Sequence, residues 1–135
     1  MPSAAVELTV PFHDVDAMRI VWHGHYLKYF ESARDRLFAE HNVDMYGYGE
    51  ESRIVYPVIR TSTRHSHPLR YGDAFLCTAR LVEARTKLII EYEITLKESG
   101  QVCTRGHTEQ VALSVPDLEL QLRVPDSLRQ AFSLE

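Results

Sequence analysis

One stretch of helical periodicity stands alone in a chain otherwise patterned for strands, and it limits the folds open to the sequence. Between Tyr26 and Leu37 the apolar residues Tyr26, Phe30, Ala33 and Leu37 recur every three or four positions, while Lys28, Glu31, Ser32, Asp35 and Arg36 take the other side. The pattern predicts one amphipathic helix from Gly24 to about His41. Its pairs Lys28 with Glu31 and Arg36 with Glu40 are spaced to add about 0.3 kcal/mol each. Elsewhere the period is two. Val6, Leu8, Val10 and Phe12 alternate with Glu7, Thr9 and Pro11; Phe75, Cys77, Ala79 and Leu81 alternate with Thr78 and Arg80. Leu88, Ile90, Tyr92, Ile94 and Leu96 oppose Lys87, Glu91, Glu93, Thr95 and Lys97, the mark of a strand with one face in the core. Tyr56 to His67, with Pro57 near its start, and Val102 to Leu113 read as further strands. Residues 42 to 54 read as a loop, and a short helix from about Asp126 to Phe132 follows Pro125. An antiparallel sheet with one apolar face needs a cover, and a single long apolar stripe is available. The expected class is α+β, an antiparallel β-sheet wrapped around one long α-helix, in a single domain over residues 1–135.

Composition narrows the function. A chain of 135 residues can bury roughly two-thirds of its unfolded surface, so no disulfide or metal is required for stability. With 15 Lys+Arg against 19 Asp+Glu, the net charge of −4 argues against a nucleic-acid backbone as partner. The longest apolar runs are a few residues, such as Leu88-Ile89-Ile90, so no membrane span is expected. The first residues, Met1 to Ala5, lack the form of a secretory signal, and a cytoplasmic location is the default expectation. Cys77 and Cys103 have no CxxC spacing and read as buried thiols.

The reactive side chains concentrate between Phe12 and Tyr26, where Asp14, Asp16, His13, His23 and His25 precede the helix. The N–H groups of a helix start attract negative charge, so an oxyanion could be held there while a nearby carboxylate attacks or deprotonates water. Hydrolysis or acyl transfer fits that layout; a capping or turn role fits Asp14 and Asp16 equally on residue type alone. His65-x-His67, like His23-x-His25, has i, i+2 spacing that could face one ion, but a third ligand at metal spacing is missing and polar strand residues are the better reading.

The run Asp14-x-Asp16-x-x-x-Ile20-Val21-Trp22-His23-x-x-Tyr26-x-x-Tyr29-Phe30-Glu31-x-Ala33-Arg34, continued by Tyr56-Pro57, Pro68-Leu69-Arg70-Tyr71-Gly72-Asp73 and Val124-Pro125, resembles the hot-dog-fold acyl-CoA thioesterases of the 4-hydroxybenzoyl-CoA thioesterase group and its YbgC-like branch. The likeness covers nearly the whole chain and implies a hydrolase acting on an acyl-CoA thioester, with an acyl carrier protein as alternative carrier. It places the catalytic carboxylate, nucleophile or general base, on Asp16. It gives the N–H of Tyr26 the task of polarising the thioester carbonyl and His23 an assisting role. It also implies a homodimer or homotetramer with active sites between subunits, no metal or redox cofactor, and contact of Arg85 and Lys87 with the nucleotide end of coenzyme A. Two positions depart from the pattern. Arg19 stands where the family usually carries Gly, and His25 where it carries Asn or a similar small polar residue. A cation beside Asp16 would lower its pKa and weaken it as a base; alternatively Arg19 points to solvent or to an anionic substrate. Two other functions remain open: a 3-hydroxyacyl-thioester dehydratase using His25 with Glu31, and a non-catalytic acyl-binding protein, for which Arg19 is the main argument.

Overall fold

The computed structural model describes residues 1–43 and 54–134. Five strands form an antiparallel sheet in the order β1-β4-β5-β6-β3, with β1 at Ser3–Thr9, β3 at Val58–His65, β4 at Ala74–Ala84, β5 at Leu88–Leu96 and β6 at Val102–Gln110. A small second sheet joins β2 (Ile54–Val55), β7 (Leu113–Ser114) and β8 (Glu119–Leu120). Helix α1 (Tyr26–Glu40) lies against the large sheet, and the short α2 (Asp126–Ala131) closes its far end by setting Phe132 against Phe38. This is the antiparallel sheet wrapped around one long helix that the periodicities predict, and the hot-dog arrangement that the resemblance implies.

The helical stripe is buried as its spacing predicts. Phe30, Ala33 and Leu37 are fully enclosed, and Tyr26, Tyr29 and Phe38 nearly so. Removing side chains of the size of Phe30 or Leu37 from water contributes about 1.5–3 kcal/mol each. From the sheet come Phe75, Cys77, Ala79 and Leu81 of β4 and Leu88, Ile90, Tyr92 and Ile94 of β5, every second residue as the period requires. Phe30 stacks on Tyr92 with centroids 4.5 Å apart and lies over Gly106 of β6, where a Cβ would fall 2.3 Å from its ring. Glycine at 106 is what lets the helix approach the sheet this closely. Both cysteines are buried free thiols, and burial pushes Cys77 up to about 12.

The weaker pattern of β6 has a cause. Thr104, Thr108 and Gln110 are buried polar residues with partners inside the fold: Thr108 bonds the Tyr92 hydroxyl at 2.7 Å and Gln110 Nε2 donates to the Tyr56 carbonyl at 2.9 Å, while Gln110 Oε1 has no partner among the described residues. Two boundaries move. β1 ends at Thr9, before Pro11, so Phe12 is no core residue: it sits in a 3-10 turn (Phe12–Asp14), 72% exposed, edge-on to Tyr71. The long helix starts with a 3-10 turn, His23–His25, before α1 proper. The expected loop at 42–54 falls mostly outside the described residues. β3 lies at an edge of the large sheet, and all eight of its residues are exposed.

Candidate active site

The loop between β1 and α1 is a miniature hairpin. Val15 bridges Val21, Asp16 N–H donates to the Ile20 carbonyl (2.9 Å), and Arg19 N–H donates to the Asp16 carbonyl (2.9 Å). Arg19 takes the left-handed φ of +64°. A tight turn closed by one left-handed residue is the usual way to build a three-residue hairpin loop, and that residue is normally glycine. The glycine expected at this position therefore has a backbone reason. Arg19 is exposed, which matches the expectation that it points to solvent or substrate.

Asp14 anchors the hairpin to the helix. Its side chain is 1% exposed and accepts two bonds from Lys28 Nζ, at 2.8 and 2.9 Å, and one from the Tyr29 hydroxyl at 2.6 Å. His25 Nε2 stands 3.9 Å away and His13 Nε2 3.6 Å. Burial alone would raise the Asp14 carboxyl, but the bonds from Lys28 and Tyr29 together with the Lys28 charge hold it below 3.8. Tyr29 is driven upward by the same burial and by the adjacent carboxylate. Asp14 is thus neither cap nor free turn residue, and Lys28 turns to it rather than to Glu31. His25 likewise faces Asp14 and Trp22, with ring centroids of His25 and Trp22 5.3 Å apart, rather than making the pair with Glu31 that a dehydratase reading needs.

Asp16 is differently placed. It is partly exposed, and its Oδ1 accepts the Met18 N–H at 2.9 Å, a short Asx turn that fixes the carboxylate without burying it. It borders a cleft of about 360 Å3 together with His23 and Tyr26, so the three residues singled out for chemistry meet in one place. Met18, Ile20 and Val21 give this cleft an apolar side, and Tyr26, the first residue of α1, sets the positive end of the helix dipole beside it. His65 and His67 also line the cleft. His65 packs its ring on Tyr26 (4.4 Å between centroids) and bonds Thr104 Oγ1 through Nδ1 at 3.1 Å. Burial, then the nearby His23, hold the His65 imidazole below its ordinary range. Sequence reading weighed these two histidines only as a metal pair and left them as polar strand residues, so their place in the cleft was not anticipated. The signal was the His-Ser-His run just before Pro68-Leu69, whose Leu69 carbonyl accepts the Val21 N–H (2.8 Å) and ties that segment to the hairpin. Among the described residues no three His, Cys, Asp or Glu side chains are grouped to hold a metal ion.

The two basic residues behave unlike each other. Lys87 is held by Glu109 at 2.9 Å, and Glu109 also binds His107 at 2.9 Å. The bonds from Lys87 and His107 bring Glu109 down to about 2. Arg85 is exposed and shares a separate cleft with Thr86, Arg123 and Arg129. A larger hollow of about 570 Å3 on the outer face of the sheet is less suited to chemistry, because its carboxylates are engaged: Glu91 with Arg80 at 2.9 Å and Glu93 with Arg105 at 3.2 Å.

Comparison with known proteins identifies the family and the fold. The model of the thioesterase-like superfamily matches residues 10–132. A 1,4-dihydroxy-2-naphthoyl-CoA hydrolase from Thermosynechococcus vestitus is 26% identical over 130 residues, covering 94% of this chain and 86% of that protein. Among solved structures, a 1,4-dihydroxy-2-naphthoyl-CoA thioesterase from Synechocystis superposes with a TM-score of 0.87 at 20% identity, covering 97% of this chain and 96% of the other. A 4-hydroxybenzoyl-CoA thioesterase variant complexed with 4-hydroxybenzoyl-CoA gives a TM-score of 0.86 at 17% identity, over 97% and 99% of the two chains. No helix among the described residues is long and apolar enough to cross a membrane. The chain belongs to the thioesterase-like superfamily, a hot-dog-fold thioester hydrolase.

Proposed function

We propose that the protein hydrolyses an acyl-CoA thioester in the Asp16 cleft, releasing a free acid and coenzyme A. The observation that carries this is the meeting of an accessible, oriented carboxylate, Asp16, with the N-terminus of α1 at Tyr26 in one half-apolar cleft. The carboxylate takes a proton from water as the water oxygen attacks the thioester carbon, or attacks that carbon itself to give an anhydride that water then opens. In both routes the carbonyl oxygen becomes an oxyanion, stabilised by the Tyr26 N–H and the helix dipole, and its collapse expels the thiolate. His23, exposed at the cleft mouth, assists the departing thiolate. The apolar side formed by Met18, Ile20 and Val21 suits an aromatic acyl group of the kind named for the relatives.

Coenzyme A is anionic while the chain is net negative, so its phosphates need local positive charge. Arg85, in a cleft with Arg123 and Arg129, supplies it; Lys87, neutralised by Glu109, contributes less. Arg85 follows the end of β4 while Asp16 lies near its start, a strand length of about 30 Å. That separation supports a site completed by a second copy, and the open edge β3, exposed along its whole length, is where a homodimer would pair. The test is a panel of benzoyl-, 4-hydroxybenzoyl-, 1,4-dihydroxy-2-naphthoyl- and fatty acyl-CoA, with an acyl carrier protein thioester alongside, followed by thiol release. Turnover of an aryl-CoA in preference to the carrier-protein thioester is expected, from a species of at least twice the chain mass by light scattering. No thiol release from any member overturns the proposal.

A further inference from the structure

Among the side chains that line the cleft is His65, to which the hydrolytic scheme gives no task. Leu69 N–H donates to the Tyr26 hydroxyl at 3.4 Å. Tyr26 itself is 3% exposed, a fixed surface on which a neighbouring ring can rest. Thr104 is fully buried, and its Oγ1 lies 3.1 Å from His65 Nδ1. That contact engages Nδ1 and leaves Nε2 as the ring nitrogen for the cleft; a Thr104 proton given to Nδ1 puts the ring hydrogen on Nε2. Stacking on Tyr26 fixes the ring plane, so the donor is oriented before any ligand arrives.

We propose that His65 is a catalytic residue whose Nε2–H is a second donor to the thioester oxygen, acting beside the Tyr26 N–H. The inference rests on the hydrolase reading above. An oxyanion that forms in the transition state is better held by two fixed donors than by one, and donors positioned in advance need no reorganisation as charge develops. The neutral imidazole suits the role for a further reason. A cationic ring in the same cleft as Asp16 would pair with the carboxylate and hold it back from the water or the thioester, whereas a neutral N–H donates without competing for Asp16. Partial burial of the ring, then the charge of the nearby His23, lower its pKa and so favour the neutral form. Thr104 is a positioning residue in this scheme, since it acts through His65.

Two variants separate the donor from the packing. His65→Phe keeps an aromatic ring against Tyr26 and removes both nitrogens; His65→Gln restores an N–H. With 4-hydroxybenzoyl-CoA and benzoyl-CoA as probes, His65→Phe is expected to lower kcat about 10–1000-fold with KM within about threefold, because the lost contact is made chiefly in the transition state. His65→Gln is expected to recover about tenfold of that loss, and the melting temperatures of both variants to stay within about 3 °C of the parent, the range of a surface change. Unchanged kcat in His65→Phe, or a loss that appears only in KM, overturns the proposal. Nitrogen-15 NMR of the full chain, with His65 assigned from its absence in His65→Phe, tests the donor independently of turnover. The Nε2–H tautomer is expected, with Nε2 shifting on addition of a non-hydrolysable ketone analogue of benzoyl-CoA. The Nδ1–H tautomer, or no shift with bound analogue, refutes the assignment. If no thioester is hydrolysed while the tautomer and the shift are both present, the hydrolase reading fails and the donor stands; if the analogue does not bind, both fail.

Discussion

Replacing Lys28 with methionine would remove the cation from the most buried charged group of the described residues while keeping the length of the side chain. Asp14, 1% exposed, would be left with the Tyr29 hydroxyl as its strong donor, in place of two bonds from Nζ and one from Oη. Stripping the partner from a buried ion pair costs about 3–5 kcal/mol. Lys28 is half exposed, so solvent screens part of its attraction, and Tyr29 continues to satisfy one oxygen. The expected loss at pH 7 is therefore about 2–3 kcal/mol, or a drop in melting temperature of about 5–12 °C for a chain of this size. The pH dependence carries the sharper signature. In the parent, the Asp14 pKa is depressed below 3.8, so its stabilisation is fully present above that value and is lost as pH falls through the folded pKa. In the variant, burial dominates and raises the pKa, so the ionised group destabilises the fold at neutral pH and that penalty vanishes on acidification. The gap between the two proteins should be widest near pH 7, narrow as pH falls through the raised pKa of the variant, and close only below the depressed Asp14 pKa of the parent. Urea titrations at several pH values measure it. A gap that is constant with pH, or a loss under about 0.5 kcal/mol, would refute the account of Asp14 as a buried, ion-paired anchor.

Three further outcomes are expected. Arg19→Gly relieves a left-handed φ of +64°, worth about 1–2 kcal/mol, against about 0.5–1 kcal/mol of glycine entropy, and should raise stability by about 0.5–1 kcal/mol in thermal unfolding. The same variant should raise KM for acyl-CoA up to about fivefold, the worth of one exposed charge contact; lower stability contradicts the turn geometry. Gly106→Ala places a Cβ 2.3 Å from the Phe30 ring and should cost about 1–3 kcal/mol, with Phe30→Leu in the same chain recovering part of it by calorimetry. A proline at Ser62, in the middle of the open edge, should weaken self-association measured by light scattering if β3 pairs with a second copy.

The large-scale fold was legible because its signal is local. Tyr26, Phe30, Ala33 and Leu37 lie four or fewer positions apart and are buried together, and Leu88, Ile90, Tyr92 and Ile94 alternate without interruption. Phe12 followed the alternation on paper but stands beyond Pro11, where the ladder has ended. The inner arrangement of the site was not legible, since the deciding partners are distant in sequence. Lys28 has Glu31 one turn away yet bonds Asp14, fourteen residues back, because the hairpin folds that carboxylate under the helix where water cannot reach it. His65 reads as a polar strand residue until Thr104, thirty-nine residues later, and Tyr26 take up its ring. Arg19 shows the converse: an unusual residue noticed in the sequence, whose meaning is a backbone angle.

The central claim is that Asp16, and not the buried Asp14, performs the chemistry, and one comparison tests it directly. Thiol release by the Asp16→Asn variant is measured against the parent on the fastest aryl-CoA of the panel, with melting temperatures recorded for both. The Asx turn accepts the Met18 N–H through an asparagine carbonyl as well as through a carboxylate, so the hairpin should persist and the melting temperature should change by less than about 2 °C. The account predicts a fall in kcat of about 100-fold to 10000-fold, the contribution of a positioned base or nucleophile. An Asp16→Asn variant that keeps its fold and hydrolyses within about threefold of the parent rate would contradict it.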